Sequence, residues 1–262
     1  MKTGAKLTAW NWYIMQKPVL IIAAVLSVCE MALLAIAATR ENLMGMPYDA
    51  LFMQSFAWLV FVGGYLAVLA VSLRPILQAQ GKHKGAYTLQ TLPVKRGTLL
   101  FANIAATALA QLALAAWQVV LTALLYLPTM AIANAATAYT LPQFAIPHSD
   151  FVLALLRNAL LRILLPTNFT GVCVWLLLLA APAVLVVCTF YHRGAARVFA
   201  FCMGIIGAGG CGYLCAAHLL YIRTNGYRYA EFSLFPAICL LLFLMAAAIA
   251  WALHSIRRAA WL

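Results

Sequence analysis

Apolar residues run along this chain in long blocks separated by short polar breaks. Pro18–Ala38, Leu51–Leu73, Thr170–Tyr191, Val198–Ile222 and Phe232–Ile256 each match the roughly 20 residues with which a helix crosses about 30 Å of hydrocarbon. A sixth block, Thr98–Leu127, is longer and has room to tilt or run on into an interface. The pattern therefore predicts an all-α polytopic membrane protein with six transmembrane helices. Phe151–Leu165 is shorter, carries Arg157 and Arg162, and is closed by Pro166. It reads as an interfacial or re-entrant helix with Ser149 or Asp150 as its N-cap.

Composition agrees: 66% of residues are hydrophobic and 8% are charged. That is far more apolar surface than one soluble core of this size can hide, and a bilayer solvates it. The net charge of +12 would suggest nucleic acid if the basic residues shared a solvated face, but they lie between the apolar blocks. Read as a topology signal, they place both termini inside. Lys2, Lys6, Lys17, Arg74, Lys82, Lys84, Lys95, Arg96, Arg193, Arg197, Arg257 and Arg258 then lie on the inner side, twelve of the seventeen. Arg40, Arg157, Arg162, Arg223 and Arg228 remain outside, with Glu41, Asp49, Asp150 and Glu231. A seventh span at Phe151–Leu165 would move four inner arginines outside, so six fit better.

The first block resembles a signal peptide in its basic flank and its Ala35-Ile36-Ala37 end. The long leader before it and Glu30 inside it favour a retained span. The seven cysteines all fall inside expected spans without metal-ligand spacing and read as small packing residues. No repeat or linker divides the chain, so residues 1–262 are expected to form one transmembrane domain.

No catalytic constellation is visible: the sequence has no H-E-x-x-H pair, no G-x-S-x-G elbow and no P-loop. No enzyme activity, metal site or cofactor is expected in this chain. The Val198–Ile222 block is rich in glycine but lacks the lysine of a phosphate cradle; Gly204, Ala208, Gly212 and Ala216 instead form a small-residue stripe suited to a subunit or helix–helix contact. His218 is the one histidine well inside a span, so a bis-histidine haem has no partner at its depth.

Glu30 is the single acid inside the expected membrane region. A charge there costs roughly 2.5–3.5 kcal/mol on insertion scales, so it reads either as a substrate- or coupling-linked carboxylate or as a neutral group bonded to a neighbouring helix. In the Thr98–Leu127 block, the third along the chain, Asn103, Thr107, Gln111, Gln118 and Thr122 fall on one face. Such a stripe turns away from lipid, either to line a translocation cavity or to make an interhelical hydrogen-bond seam. Gln54 and Trp58 lie one turn apart and are expected to share a face of helix 2.

The segment between helices 2 and 3 reads Gly81-Lys82-His83-Lys84-Gly85-Ala86-Tyr87-Thr88-Leu89-Gln90-Thr91-Leu92-Pro93-Val94-Lys95-Arg96. From Leu89 onward it resembles the cytoplasmic L-x-T/S-L/T-P-V-x-R stretch of type-2 ATP-binding-cassette exporter permeases. The resemblance implies a short coupling helix that docks on an ATPase, with Tyr87, Leu89, Leu92, Pro93, Lys95 and Arg96 at the contact. Span number, chain length and inward termini match that family's layout. It also implies an N-terminal interfacial helix, for which Leu7–Lys17 serves with Trp10, Trp12 and Tyr13 as anchors, although Asn11 interrupts its apolar face. The sequence departs from the family in having Lys82, His83 and Lys84 where acids are frequent, and Asn103 where a lysine often follows the arginine.

By this resemblance the chain pairs with a second copy or a related permease in the cell membrane. ATP and Mg are held by a separate cytoplasmic P-loop ATPase. The substrate is hydrophobic or amphipathic, as in the phenol-soluble-modulin and lantibiotic peptide systems. Glu30, Gln54, Trp58, Gln111, Gln118 and His218 are the pathway or interface candidates; lipid is a partner, and nucleic acid is not. A non-transporting membrane scaffold is the competing class.

Overall fold

A computed structural model describes residues 2–43, 46–80, 95–140, 151–166, 169–192, 195–223 and 228–258. Ten α-helices are present among them: α1 (Lys2–Ala38), α2 (Tyr48–Gln54), α3 (Ala57–Ser72), α4 (Arg74–Gln80), α5 (Arg96–Thr140), α6 (Phe151–Arg157), α7 (Ala159–Leu164), α8 (Phe169–Phe190), α9 (Ala195–Arg223) and α10 (Arg228–Arg258). Six stretches are long and apolar enough to cross a bilayer: Gly4–Ala38, Ala57–Leu77, Gly97–Thr137, Phe169–Phe190, Ala196–Leu219 and Leu234–Arg257. The chain is thus an all-helical, multi-pass membrane protein. On α1 the large side chains of Leu20, Ile21, Val25 and Val28 are exposed, which suits a helix solvated by lipid.

Contacts divide the chain into two compact units. One comprises Met1–Val19, Val68–Leu112 and Asn168–Leu262; the other comprises Leu20–Ala67 and Ala113–Thr167.

In the first unit α8, α9 and α10 pack on one another. Val174, Leu177 and Ala181 of α8 meet Leu234, Ala237 and Leu241 of α10 and Leu214 and Ala217 of α9. Farther along, Val184–Cys188 meets Leu244, Ala248 and Ala252. So α8 and α10 run parallel, with α9 antiparallel to both. The later cluster also takes Ile76 of α4 and Leu100 of α5, which brings the end of the second span and the start of the third level with the C-terminal ends of α8 and α10.

In the second unit α1 and α5 advance together: Ser27 meets Trp117, Glu30 meets Gln118, and Ala37 and Ala38 share a cluster with Ala133. Parallel first and third helices require an intervening return crossing, which Ala57–Leu77 supplies.

The elements differ from the sequence pattern at four places. The second span is not one helix. Ser55 Oγ donates to the Phe52 carbonyl at 3.0 Å and accepts from Ala57 N at 3.3 Å, so the side chain takes over backbone bonding. Phe56 then turns the chain at φ 59°, a region costly for a non-glycine residue. Gln54 therefore ends α2 while Trp58 lies beyond the break in α3; Gln54 is exposed and Trp58 half-buried, and they do not share a helix face.

Leu7–Lys17 is not a separate helix either, because α1 continues unbroken through Pro18. At 37 residues, and about 1.5 Å per residue, it is longer than the hydrocarbon requires. Phe151–Leu165 is two short helices, interrupted at Asn158, whose side chain caps α7 by accepting from Leu160 N and Leu161 N. The expected caps Ser149 and Asp150 lie outside the described residues.

The stripe Gly204, Ala208, Gly212 and Ala216 does not make the close packing inside this chain. Gly204 is half-buried, and Ala208, Gly212 and Ala216 are exposed. The neighbouring face does that work: Gly207 lies hard against Leu185, and a Cβ on Gly210 would sit 3.2 Å from Leu241. The packed face is offset because α8 and α10 contribute bulky leucines where only glycine leaves room.

Candidate functional site

The second unit gathers a buried polar cluster around Glu30. The carboxylate is fully buried, and Gln118 Nε2 donates to both of its oxygens at 2.9 Å. Thr122, one turn on, donates to the Gln118 carbonyl at 2.8 Å, while the Thr122 carbonyl accepts from Tyr48 Oη at 2.9 Å. Tyr48 also packs edge-on against Tyr126, with ring centres 5.3 Å apart. Beside the carboxylate, Trp117 Nε1 donates to Ser27 Oγ at 3.0 Å. Among the described residues Gln118 Oε1 is buried without a hydrogen-bond partner. Helix periodicity creates the cluster, because Gln118 and Thr122 share the α5 face turned to α1.

The first unit holds a second polar contact. Asn11 Nδ2 donates to Asn103 Oδ1 at 2.7 Å, and Asn103 Nδ2 donates to Tyr191 Oη at 2.7 Å. Asn103 thereby ties α1 to the C-terminal end of α8. The polar position that spoils the apolar face of Leu7–Lys17 is thus a bonding position. Gln111, on the same α5 stripe, is fully buried, and both its amide atoms lack partners among the described residues. His218 is buried in α9.

Near the end of α8, His192 Nδ1 lies 3.0 Å from Ser255 Oγ, and its ring lies 4.3 Å from that of Trp251. Burial holds the imidazole below its ordinary pKa and favours the neutral ring. Arg197 Nε donates to the His192 carbonyl at 3.0 Å, joining the α8 end to the start of α9.

The structure brings Glu30 and Gln118 together and separates Gln54 from Trp58. Tyr87, Leu89, Leu92 and Pro93 lie outside the described residues. Lys95 is exposed, and its carbonyl accepts from Thr98 N at 2.8 Å as α5 begins; Arg96 opens that helix. Sequence reasoning missed Tyr48, Tyr191 and Asn11 as partners of the stripe. Asn11 alone gave a signal, as a polar interruption on an apolar face. No cluster of three or more metal-binding side chains occurs among the described residues. Comparison with protein-family models, with curated proteins and with solved structures yields no match to this chain.

Proposed function

We propose that the chain is the membrane-spanning permease subunit of an ATP-binding-cassette exporter. It moves a hydrophobic or amphipathic substrate, peptide in class, out of the cytoplasm on ATP hydrolysed by a separate P-loop subunit. The observation that carries this reading is the Leu89–Arg96 motif together with its place in the chain. In the sequence it lies between the second span and the third, and the described residues on either side of it, Ile76 and Leu100, pack where α8 and α10 finish. A partner bound there would reach α4, α5 and the C-terminal ends of α8 and α10, and a rigid-body shift of the loop would pass into them. Buried Gln111, with both amide atoms unpartnered among the described residues, supports a pathway-facing role for that position of α5. Both termini and the loop are cytoplasmic in this reading, in the cell membrane, and two such chains surround the pathway.

A scaffold without transport is the second reading. It draws on the hydrogen bonds that tie Glu30 to Gln118 and Asn103 to Asn11 and Tyr191, since these occupy polar side chains with structural work.

The test is purification in mild detergent from the native host, with identification of co-purifying proteins and an ATPase assay. A stoichiometric P-loop ATPase stimulated by amphipathic peptides is expected. In the reconstituted pair, Tyr87→Ala, Leu92→Ala and Arg96→Ala together should leave ATP hydrolysis running while transport is lost. Fully coupled transport in that triple variant would remove the loop assignment. A chain that purifies alone under several mild conditions, without ATPase activity, would favour the scaffold.

A further inference from the structure

Helices α6 and α7 carry two cations and an apolar face that the exporter reading leaves unused. They are 7 and 6 residues long, too short to cross about 30 Å of hydrocarbon. Phe151 packs edge-on against Tyr126, which fixes the start of α6 on α5. Phe151, Val152, Leu153 and Leu156 are exposed and line an open groove of about 470 Å³. At the far end of α6 the chemistry changes abruptly. Arg157 and Arg162 are both exposed, and neither helix contains an acid.

Local bonding folds Arg162 back toward the end of α6, which Arg157 closes. Arg162 N donates to the Asn158 carbonyl at 3.1 Å, and Arg162 Nε donates to the Leu156 carbonyl at 2.7 Å. Leu156 lines the groove and precedes Arg157. With Nε engaged, the Arg162 fork keeps its four terminal N–H donors. Between the arginines in sequence, Asn158 spends its oxygen capping α7, and its Nδ2 is a buried donor without a partner among the described residues. Two exposed cations, with no carboxylate in either helix, favour an anion rich in acceptor oxygens. The adjacent apolar groove requires that this anion carry a long hydrocarbon.

We propose that the α6–α7 segment is a binding site for an anionic phospholipid, its phosphate at Arg157 and Arg162 and an acyl chain along Phe151, Val152, Leu153 and Leu156. The site stands independently of any ATPase. A free phosphate ion would leave the groove empty, so a lipid is the occupant to which the surface is complementary.

The experiment uses the full-length protein, delipidated in mild detergent, titrated with phosphatidylglycerol and with phosphatidylcholine of the same chain length, and read by native mass spectrometry. The wild type should bind phosphatidylglycerol about tenfold more tightly or better. Arg157→Gln with Arg162→Gln should abolish that preference. Val152→Ser with Leu156→Ser should weaken both lipids alike. Equal affinity of the wild type for the two lipids would overturn the proposal. So would an unchanged preference in the double glutamine variant. Should that variant fail to fold, Arg157→Lys with Arg162→Lys keeps the charge but loses the fork, and its preference must fall below that of the wild type.

Discussion

At the scale of single residues, the Glu30 contact determines how α1 is held to α5 in the second unit. Gln118 Nε2 is the one hydrogen-bond donor that reaches this buried carboxyl group among the described residues. Gln118→Leu keeps the approximate volume and removes the donor. It should cost about 1–3 kcal/mol, the penalty for a buried polar group left unpaired, read as a lower thermal transition in detergent. Glu30→Gln retains an amide that can bond Gln118 and should cost less. An unchanged transition in Gln118→Leu would mean that the contact does not hold the two helices. Under the exporter proposal the same variant separates two roles: loss of transport in Glu30→Gln at full stability would assign Glu30 to the pathway. Glu30 stood out in the sequence as a lone acid in an apolar run. Gln118 stood out as part of a period-four stripe. Their pairing was not legible, because the relative rotation of two helices depends on packing that one-dimensional spacing does not contain.

At the scale of elements, the glycines of α9 distinguish a face that packs from a face that is open. Gly207 lies against Leu185, whereas a Cβ on Gly212 would meet nothing within 4 Å. Gly207→Leu overfills the α8–α9 contact and should destabilise the protein by about 1–3 kcal/mol, the usual cost of overpacking. Gly212→Leu should leave the thermal transition of the isolated chain unchanged, and any effect of it should appear only in self-association, measured by cross-linking or light scattering. Equal destabilisation by both would sink the distinction between the faces. The positions of the spans were legible from apolar length alone, since a bilayer imposes one thickness on every helix. The ends and breaks were not. Ser55–Phe56 and Asn158 interrupt helices through local side-chain bonds that hydropathy does not register, and α1 continues through Pro18 where a boundary was expected.

At the scale of the whole molecule, the contacts imply a sidedness open to direct measurement. Asn11 near the start of α1 and Asn103 near the start of α5 are bonded together, and Asn103 is bonded to Tyr191 just past the end of α8. His192, next in the chain, reaches Ser255 near the end of α10. The N-terminal start of the first span, the entry to the third and the exits of the fourth and sixth therefore share one level of the first unit. An even number of crossings follows, and segments 81–94 and 193–194 should face the same side as both termini. Segments 141–150 and 224–227 should face the other. The odd reading, in which Phe151–Leu165 also spans, would instead put the exits of α8 and α10 opposite the start of α1. In a variant lacking the seven native cysteines, His83→Cys and Arg193→Cys should react with an impermeant maleimide from one side of sealed vesicles. Ser149→Cys and Asn225→Cys should react only from the other. If His83→Cys and Arg193→Cys were labelled from opposite sides, the six-crossing arrangement would fail, and with it the shared surface on which a coupling partner would have to act.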